Sequence, residues 1–456
     1  MGQAGGHGLI SFHDHSSASR MLKNPLFRRV VTNSGYLFST TGVSAALGML
    51  QGILVARLLG VEGYGIVGVI TLFTGVVNNL VSFRMGEVVI KYVGEYTEAG
   101  EEQRAAALFK LSALVEMGAS VVAFALLVLL APLAAQYLAK DPSLANMFIV
   151  YGLVVLANLI AESSTGLLQI FDRFRPIAIL GLVGNMATLV LVAIVYLLEG
   201  GLLGILLAYL TGKTVGAVGL SLIALGESGR RWGRNWWRLS LDPLKPQLPQ
   251  LTRFAVSTNI SASVSLITKD SELLWVSLFR GPVETGFYRL ALTLTNLVQM
   301  PVSPLPQATY PELSRQAARG EWSAMRHLLR QGSFLAGGYT LAATICLIIF
   351  GKPLIAWLYS PEFLPAYPAL VILLLGYLVA NTFYWRRSAL LALGRADYPA
   401  KVNLILAAIK MVGILLLVPR YGYLACAALL AGFYWIGSFI TVWKVYTLLP
   451  RESQAA

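Results

Sequence analysis

The run "SVVAFALLVLLAPL" at residues 120–133 decides the class of fold. It has no charge and no alternation of polar with apolar residues, so it cannot be a barrel strand, whose two faces alternate over about ten residues. A chain that leaves water must satisfy its own backbone hydrogen bonds, and a continuous apolar run does this alone only as a helix. The run overlaps the end of a span placed at 109–131, close to the roughly 20 residues that cross the hydrocarbon core of a bilayer. Comparable stretches recur at 34–56, 64–83, 147–168, 177–198, 201–225, 255–279, 285–308, 332–358, 366–392, 401–418 and 423–447. The sequence therefore predicts an all-α polytopic membrane protein of about twelve transmembrane helices. Composition agrees: 456 residues that are 56% hydrophobic and 12% charged, with mean hydropathy +0.68, carry more apolar surface than one soluble core can hide.

Residues 1–32 include "HGLISFHDHSSASRMLKNPLFRR", which is polar and interrupted and lacks the apolar core of a cleaved signal. They read as a cytosolic tail in which Met21 offers a second start; Gly6 breaks a myristoylation motif. His13, Asp14 and His15 make a weak metal signal in a polar tail, and no cofactor is expected. Cys346 and Cys426 fall inside predicted helices, where a thiol behaves as a small hydrophobe. The formal charge of +13 would suggest a nucleic-acid partner in a soluble protein. Here 24 of the basic residues fall in alternate connections and 4 in the opposite ones, which predicts both termini in the cytosol and no nucleic-acid role. The segment "RRWGRNWWRLS" at 230–240 suits either a helix lying on an anionic leaflet or a packed connector.

Shifting the sequence by about 221 residues superposes its punctuation. "LLGVEGYG" falls on "LFRGPVETG", with Gly60 on Gly281 and Gly65 on Gly286; "AGEEQRAAALFK" falls on "RGEWSAMRHLLR", with Gly100 on Gly320. Pro132 then meets Pro353, Pro176 meets Pro399 and Gly201 meets Gly422. The chain divides into a tail at 1–32, a six-helix unit at 33–225, a cytosolic linker at 226–253, a second six-helix unit at 254–447 and a tail at 448–456. Six crossings return each copy to the side where it started, so two six-helix bundles are expected, related by a pseudo-twofold axis along the membrane normal.

The marks "ARLLG" at Ala56 to Gly60, "EGYG" at Glu62 to Gly65 and "KYVGEY" from Lys91 resemble the polysaccharide-exporter or O-antigen flippase family. That family shares a superfamily with multidrug and toxin extrusion (MATE) transporters and lipid II flippases. Met85 and Gly86 stand where the family usually has a Leu-Gly pair, a small departure. The resemblance implies a MATE-like fold in the cytoplasmic (inner) membrane and alternating-access transport of a polyprenyl-pyrophosphate-linked oligosaccharide for cell-surface polysaccharide. It also implies membrane lipids and other polysaccharide-assembly proteins as partners. The alternative on the same fold is a cation-coupled multidrug antiporter. No Walker phosphate loop occurs and every external connection is short, which speaks against an enzyme.

Ionisable groups inside a bilayer cost about 2.5–3.5 kcal/mol each on insertion scales, so each requires a partner, a water-filled cavity or a function. The first unit holds Glu116, Glu162 and Lys213; the second holds Lys269, Asp270, Glu272, Arg289, Lys352, Arg386, Arg387 and Lys410. The second bundle is the cationic one, as a pyrophosphate ligand requires. Lys410 and Asn403, seven apart on one predicted face, are candidates for the head group, with Lys410 alternatively in a structural ion pair. Arg289, Arg386, Arg387 and Lys269 complete that candidate set; adjacent Arg386 and Arg387 cannot share a face, and Lys269 is spaced to neutralise Glu272. Asp270, Glu162 and Asn158 are candidates for coupling to H⁺ or Na⁺, while Glu116 reads as reaching the interface.

Overall fold

The computed structural model describes residues 25–266 and 271–449. Lys269 and Asp270, and with them the expected Lys269–Glu272 pairing and the Asp270 ion site, lie outside the described residues. The first helix, α1, runs Pro25–Val81 and begins within the expected tail. It is two membrane crossings joined at Gly60, whose φ of 67° and ψ of −170° are open to glycine but strained for any other residue. Next come α2 (Met85–Val88), a π turn (Val89–Val93) and α3 (Gly94–Glu98). The first half closes with α4 (Glu102–Tyr137), α5 (Ala145–Ala157), α6 (Ala161–Ile170), α7 (Phe174–Leu197) and α8 (Gly201–Trp232).

The second half repeats this plan: α9 (Leu248–Ser265), α10 (Glu272–Arg280), α11 (Pro282–Gln299) and α12 (Leu305–Arg319), then α13 (Trp322–Leu358), α14 (Ala366–Thr382), α15 (Arg386–Ala392) and α16 (Asp397–Leu448). Like α1, α16 is two crossings joined at a glycine, Gly422, with φ 66° and ψ −152°. Backbone conformation obeys the shift read from the sequence. Positive φ falls on Gly60 and Gly281, on Gly100 and Gly320, on Gly201 and Gly422, and on Asp172 and Gly394. Among the described residues eight helices are long and apolar enough to cross a membrane. Two of these, α1 and α16, cross twice, and α9 with α10 and α11 with α12 supply the remaining crossings. The protein is thus a multi-pass membrane protein of two six-helix bundles.

Four expected spans are broken. The span at 64–83 stops at Val81 and the chain restarts at Met85; its repeat partner stops at Gln299 and restarts at Leu305. Likewise α5 yields to α6 across 158–160, and α14 to α15 across 383–385. The breaks recur at matching places in both copies, which makes them part of the architecture.

The linker is not one helix on the membrane surface. It packs against the first bundle through short 3₁₀ turns at Trp236–Arg238 and Asp242–Gln247. Trp232 and Trp236 lie 5.9 and 5.4 Å from the Phe109 ring, and the Trp232 indole N–H and Arg231 donate to the Glu102 carboxylate at 2.6 and 2.9 Å. Lys110 Nζ donates to the Leu239 carbonyl at 3.0 Å, while Trp237 remains exposed beneath the stacked Arg238 guanidinium. Leu251 and Ala255 of α9 join the same apolar cluster, so the start of the second half rests on the first. Replacing Glu102 with Ala removes partly exposed charge-assisted bonds, worth about 1 kcal/mol after screening. Trypsin cleavage within 233–247 is expected to quicken roughly fivefold, read by gel-based limited proteolysis. An unchanged rate would mean that the aromatic packing alone holds the linker.

Candidate functional site

A cavity of about 900 Å³ lies between the bundles. From the first bundle it is lined by Gly68, Thr71 and Leu72 on the limb of α1 after Gly60, by Tyr151 on α5, and by Tyr209 and Lys213 on α8. On α11, Arg289, Leu292, Asn296 and Gln299 recur at three- and four-residue steps, the spacing of one helix face, and all line the cavity. The second bundle adds Glu272 and Leu273 from α10, Tyr377 from α14, Arg386 from α15, and Leu430 and Tyr434 from α16. A helix rises about 1.5 Å per residue, so Arg289 sits roughly 12 Å from the Gly281 turn and Arg386 about 30 Å along from the start of α14. Cations therefore stand at both depths of the cavity.

The end of the cavity near Gly60 and Gly281 is sealed by contacts between the bundles. Arg57 donates to the carbonyls of Trp357 and Leu358, Lys140 donates to the Leu278 carbonyl at 2.8 Å, and the Ser277 hydroxyl donates to the Leu138 carbonyl at 2.7 Å. The two copies of one glycine position meet there: a methyl group on Gly65 would overlap the Pro282 carbonyl, and one on Gly286 would overlap the Val61 carbonyl. Val61 and Pro282 are themselves repeat partners.

Arg289 spans this seal. Its guanidinium donates to the Tyr64 carbonyl at 2.5 Å and lies 4.2 Å above the Tyr64 ring, while its stem fills the space left by Gly68. Arg386 donates to the Ala380 carbonyl at 3.1 Å and faces the cavity. Arg387 is exposed and lies outside the cavity lining, so the two adjacent arginines do point apart.

Lys410 takes the alternative of a structural ion pair, and Asn403 lies away from the cavity. Lys410 is 3% exposed and absent from the cavity lining; its ammonium pairs with Glu272 at 2.6 Å and lies 5.4 Å from the Phe433 ring. Tyr288 donates to the other Glu272 oxygen at 2.6 Å. A spacing of seven gives a shared face but not its direction, and a buried acid drew the ammonium away from the cavity. Asn403 is exposed and likewise does not line the cavity. Glu272 is held by Lys410, so among the described residues the cavity's cations Lys213, Arg289 and Arg386 stand against an acid already neutralised. Lys213 and the tyrosines were missed as cavity residues; the recurrence of Tyr209 and Lys213 four apart was the available signal.

A smaller cavity of about 230 Å³ in the first bundle holds Asn78, Ser82, Glu116, Asn158 and Glu162. Asn158 and Glu162 do border one space, although Asn158 opens the 158–160 break and Glu162 lies in the helix that follows it. Glu116 does not reach the interface. It is buried, and it accepts from the backbone N–H groups of Glu162 and Ser163 at 2.8 and 2.9 Å and from the Ser163 hydroxyl at 2.6 Å, so it caps α6 from a neighbouring helix.

Two six-helix bundles around a cavity sealed at one end are the frame of the site. The chain belongs to the family described as "Polysaccharide biosynthesis protein", whose model matches residues 30–316, and the "MatE" model matches residues 270–416. "Inner membrane protein YghQ" of Escherichia coli (strain K12) is 23% identical over 341 residues, covering 75% of this chain and 95% of that protein. An inward-facing multidrug resistance MATE family transporter of the MOP superfamily superposes with TM-score 0.72 at 14% identity, over 91% of this chain and 96% of that one. The lipid II flippase MurJ in an inward closed conformation superposes at 0.71 and 14% identity, over 90% of this chain and 87% of that one. At such identities the likeness is one of fold.

Proposed function

We propose that the chain is a flippase that carries a polyprenyl-pyrophosphate-linked oligosaccharide across the cytoplasmic membrane by alternating access, as one step of cell-surface polysaccharide assembly. The observation that carries this reading is, among the described residues, the excess of Lys213, Arg289 and Arg386 over the neutralised Glu272 in the cavity between the bundles. Guanidinium groups bind phosphate oxygens in pairs and ammonium groups add point charge, whereas a cavity for organic cations would want the opposite sign. Tyr151, Tyr209, Tyr377 and Tyr434 and the amides of Asn296 and Gln299 offer stacking surface and hydrogen bonds to sugars.

In this reading both termini and the linker are cytosolic and the chain divides at 33–225 and 254–447. The sealed end then faces outward, the cavity is loaded from the cytosol, and the polyprenyl tail stays in lipid. Glu162 and Asn158 are the coupling site for H⁺ or Na⁺, and other assembly proteins hand over and receive the substrate.

Transbilayer movement of a lipid-linked oligosaccharide in proteoliposomes tests the reading. Arg386→Ala and Lys213→Ala each remove a charged contact worth about 1.5–3 kcal/mol, so each is expected to slow flipping roughly ten- to hundredfold at matched incorporation. Native protein that flips nothing but expels organic cations would establish the multidrug antiporter instead.

A further inference from the structure

The sealed end is held by backbone contacts that no ligand in the cavity touches, with one exception. Arg289 is both a cavity residue and a bond across the seal. It lies one turn beyond Gly286 on α11, and its partner Tyr64 is next to Gly65, so its grip falls on the tightest point of the crossing. The guanidinium is engaged there through an N–H to a neutral carbonyl and through its flat face to the Tyr64 ring, and it also bonds the Tyr209 side chain on α8 of the first bundle. A phosphate oxygen offers a charge-assisted bond roughly twice as strong as a neutral one, in paired geometry.

We propose that Arg289 is the latch of the sealed end: an anionic phosphate group entering the cavity draws the guanidinium off Tyr64, and the Gly65–Gly286 crossing is then released to part. A ligand shifts an equilibrium only by its unequal affinity for the two states. The inequality arises here because the closed state engages part of the Arg289 fork with Tyr64, while the open state frees that part for the anion. The trigger rests on the flippase reading; the closure by Arg289 does not.

The test places spin labels at Leu198→Cys and Tyr421→Cys, exposed positions beside the Gly201 and Gly422 turns of the two bundles, in full-length protein carrying Cys346→Ser and reconstituted in nanodiscs. Double electron–electron resonance then reads the separation of the sealed ends. The native background is expected to show one short distance without ligand and a long component with farnesyl pyrophosphate. Inorganic pyrophosphate as a parallel probe shows whether the lipid chain is required. Arg289→Ala is expected to raise the open-to-closed ratio about tenfold without ligand, the scale of one charged hydrogen bond, and to be insensitive to farnesyl pyrophosphate.

Arg289→Lys keeps the charge but not the planar fork, and falls between the two, which separates latch loss from misfolding. Gly65→Leu wedges the crossing and supplies the open reference distance. A ligand-free Arg289→Ala protein as closed as the native one would overturn the latch. So would an anion that binds native protein, read by thermal protection, without lengthening the distance. An anion that does not bind at all defeats the flippase reading, and the ligand-free comparison still decides the latch.

Discussion

Lys410→Ala is expected to lower the stability of the folded chain by about 3–5 kcal/mol, because it takes the Lys410 ammonium away from the buried Glu272 carboxylate. The pair is 2.6 Å apart, and the two side chains are 3% and 5% exposed, so neither water nor salt screens the loss. Tyr288 would still donate to Glu272, but a neutral donor does not balance a buried charge. Thermal unfolding in detergent, followed by tryptophan fluorescence, should show a large drop in Tm. The double variant Lys410→Met with Glu272→Gln removes both charges and should recover most of it, since replacing a whole buried pair is often near neutral. A double variant as unstable as the single one would show that each residue acts through separate contacts. Poor transport by Lys410→Ala would then report lost folding rather than a lost ligand group.

Glu116→Ala carries the second largest effect, about 3 kcal/mol or more. One carboxylate satisfies two backbone N–H groups in the first turn of α6 and the Ser163 hydroxyl. A helix start within the membrane has no bulk water to replace them, so the donors are left bare. Glu116→Gln retains one acceptor oxygen and should lose less than half as much stability. Hydrogen exchange should localise the damage, with the amides of Glu162 and Ser163 losing protection in Glu116→Ala. If those amides stay protected, the cap is redundant and the Glu116 carboxylate has another task.

Both residues show where sequence was sufficient and where it was not. The membrane crossings follow from apolar run length, and the duplication follows from punctuation, because Gly60 and Gly281, or Gly201 and Gly422, hold backbone angles that other residues resist. Arg289 and Arg386 were legible as cavity groups, since a lone guanidinium in hydrocarbon has few other places to go. Lys410 was not, because spacing along a helix fixes which residues share a face, while rotation about the axis depends on neighbours such as Glu272. Glu116 was misplaced for a related reason. The break at 158–160, which creates the bare helix start that Glu116 caps, contains no proline or glycine to announce it. Tyr151 and Tyr209 are unremarkable in an apolar sequence and gain meaning only when α5 and α8 are brought beside one space.

The meeting of Gly65 with the Pro282 carbonyl and of Gly286 with the Val61 carbonyl has a bearing on ancestry. In an unfused six-helix chain the same contact would be made by a homodimer, with a single codon supplying glycine to both sides of the axis. Any change there would have struck both sides together. Fusion divides that codon into two independent ones, each still obliged to encode glycine, because a side chain on either side is enough to force the helices apart. Two separate codons thus double the number of sites at which a point mutation disrupts the axis.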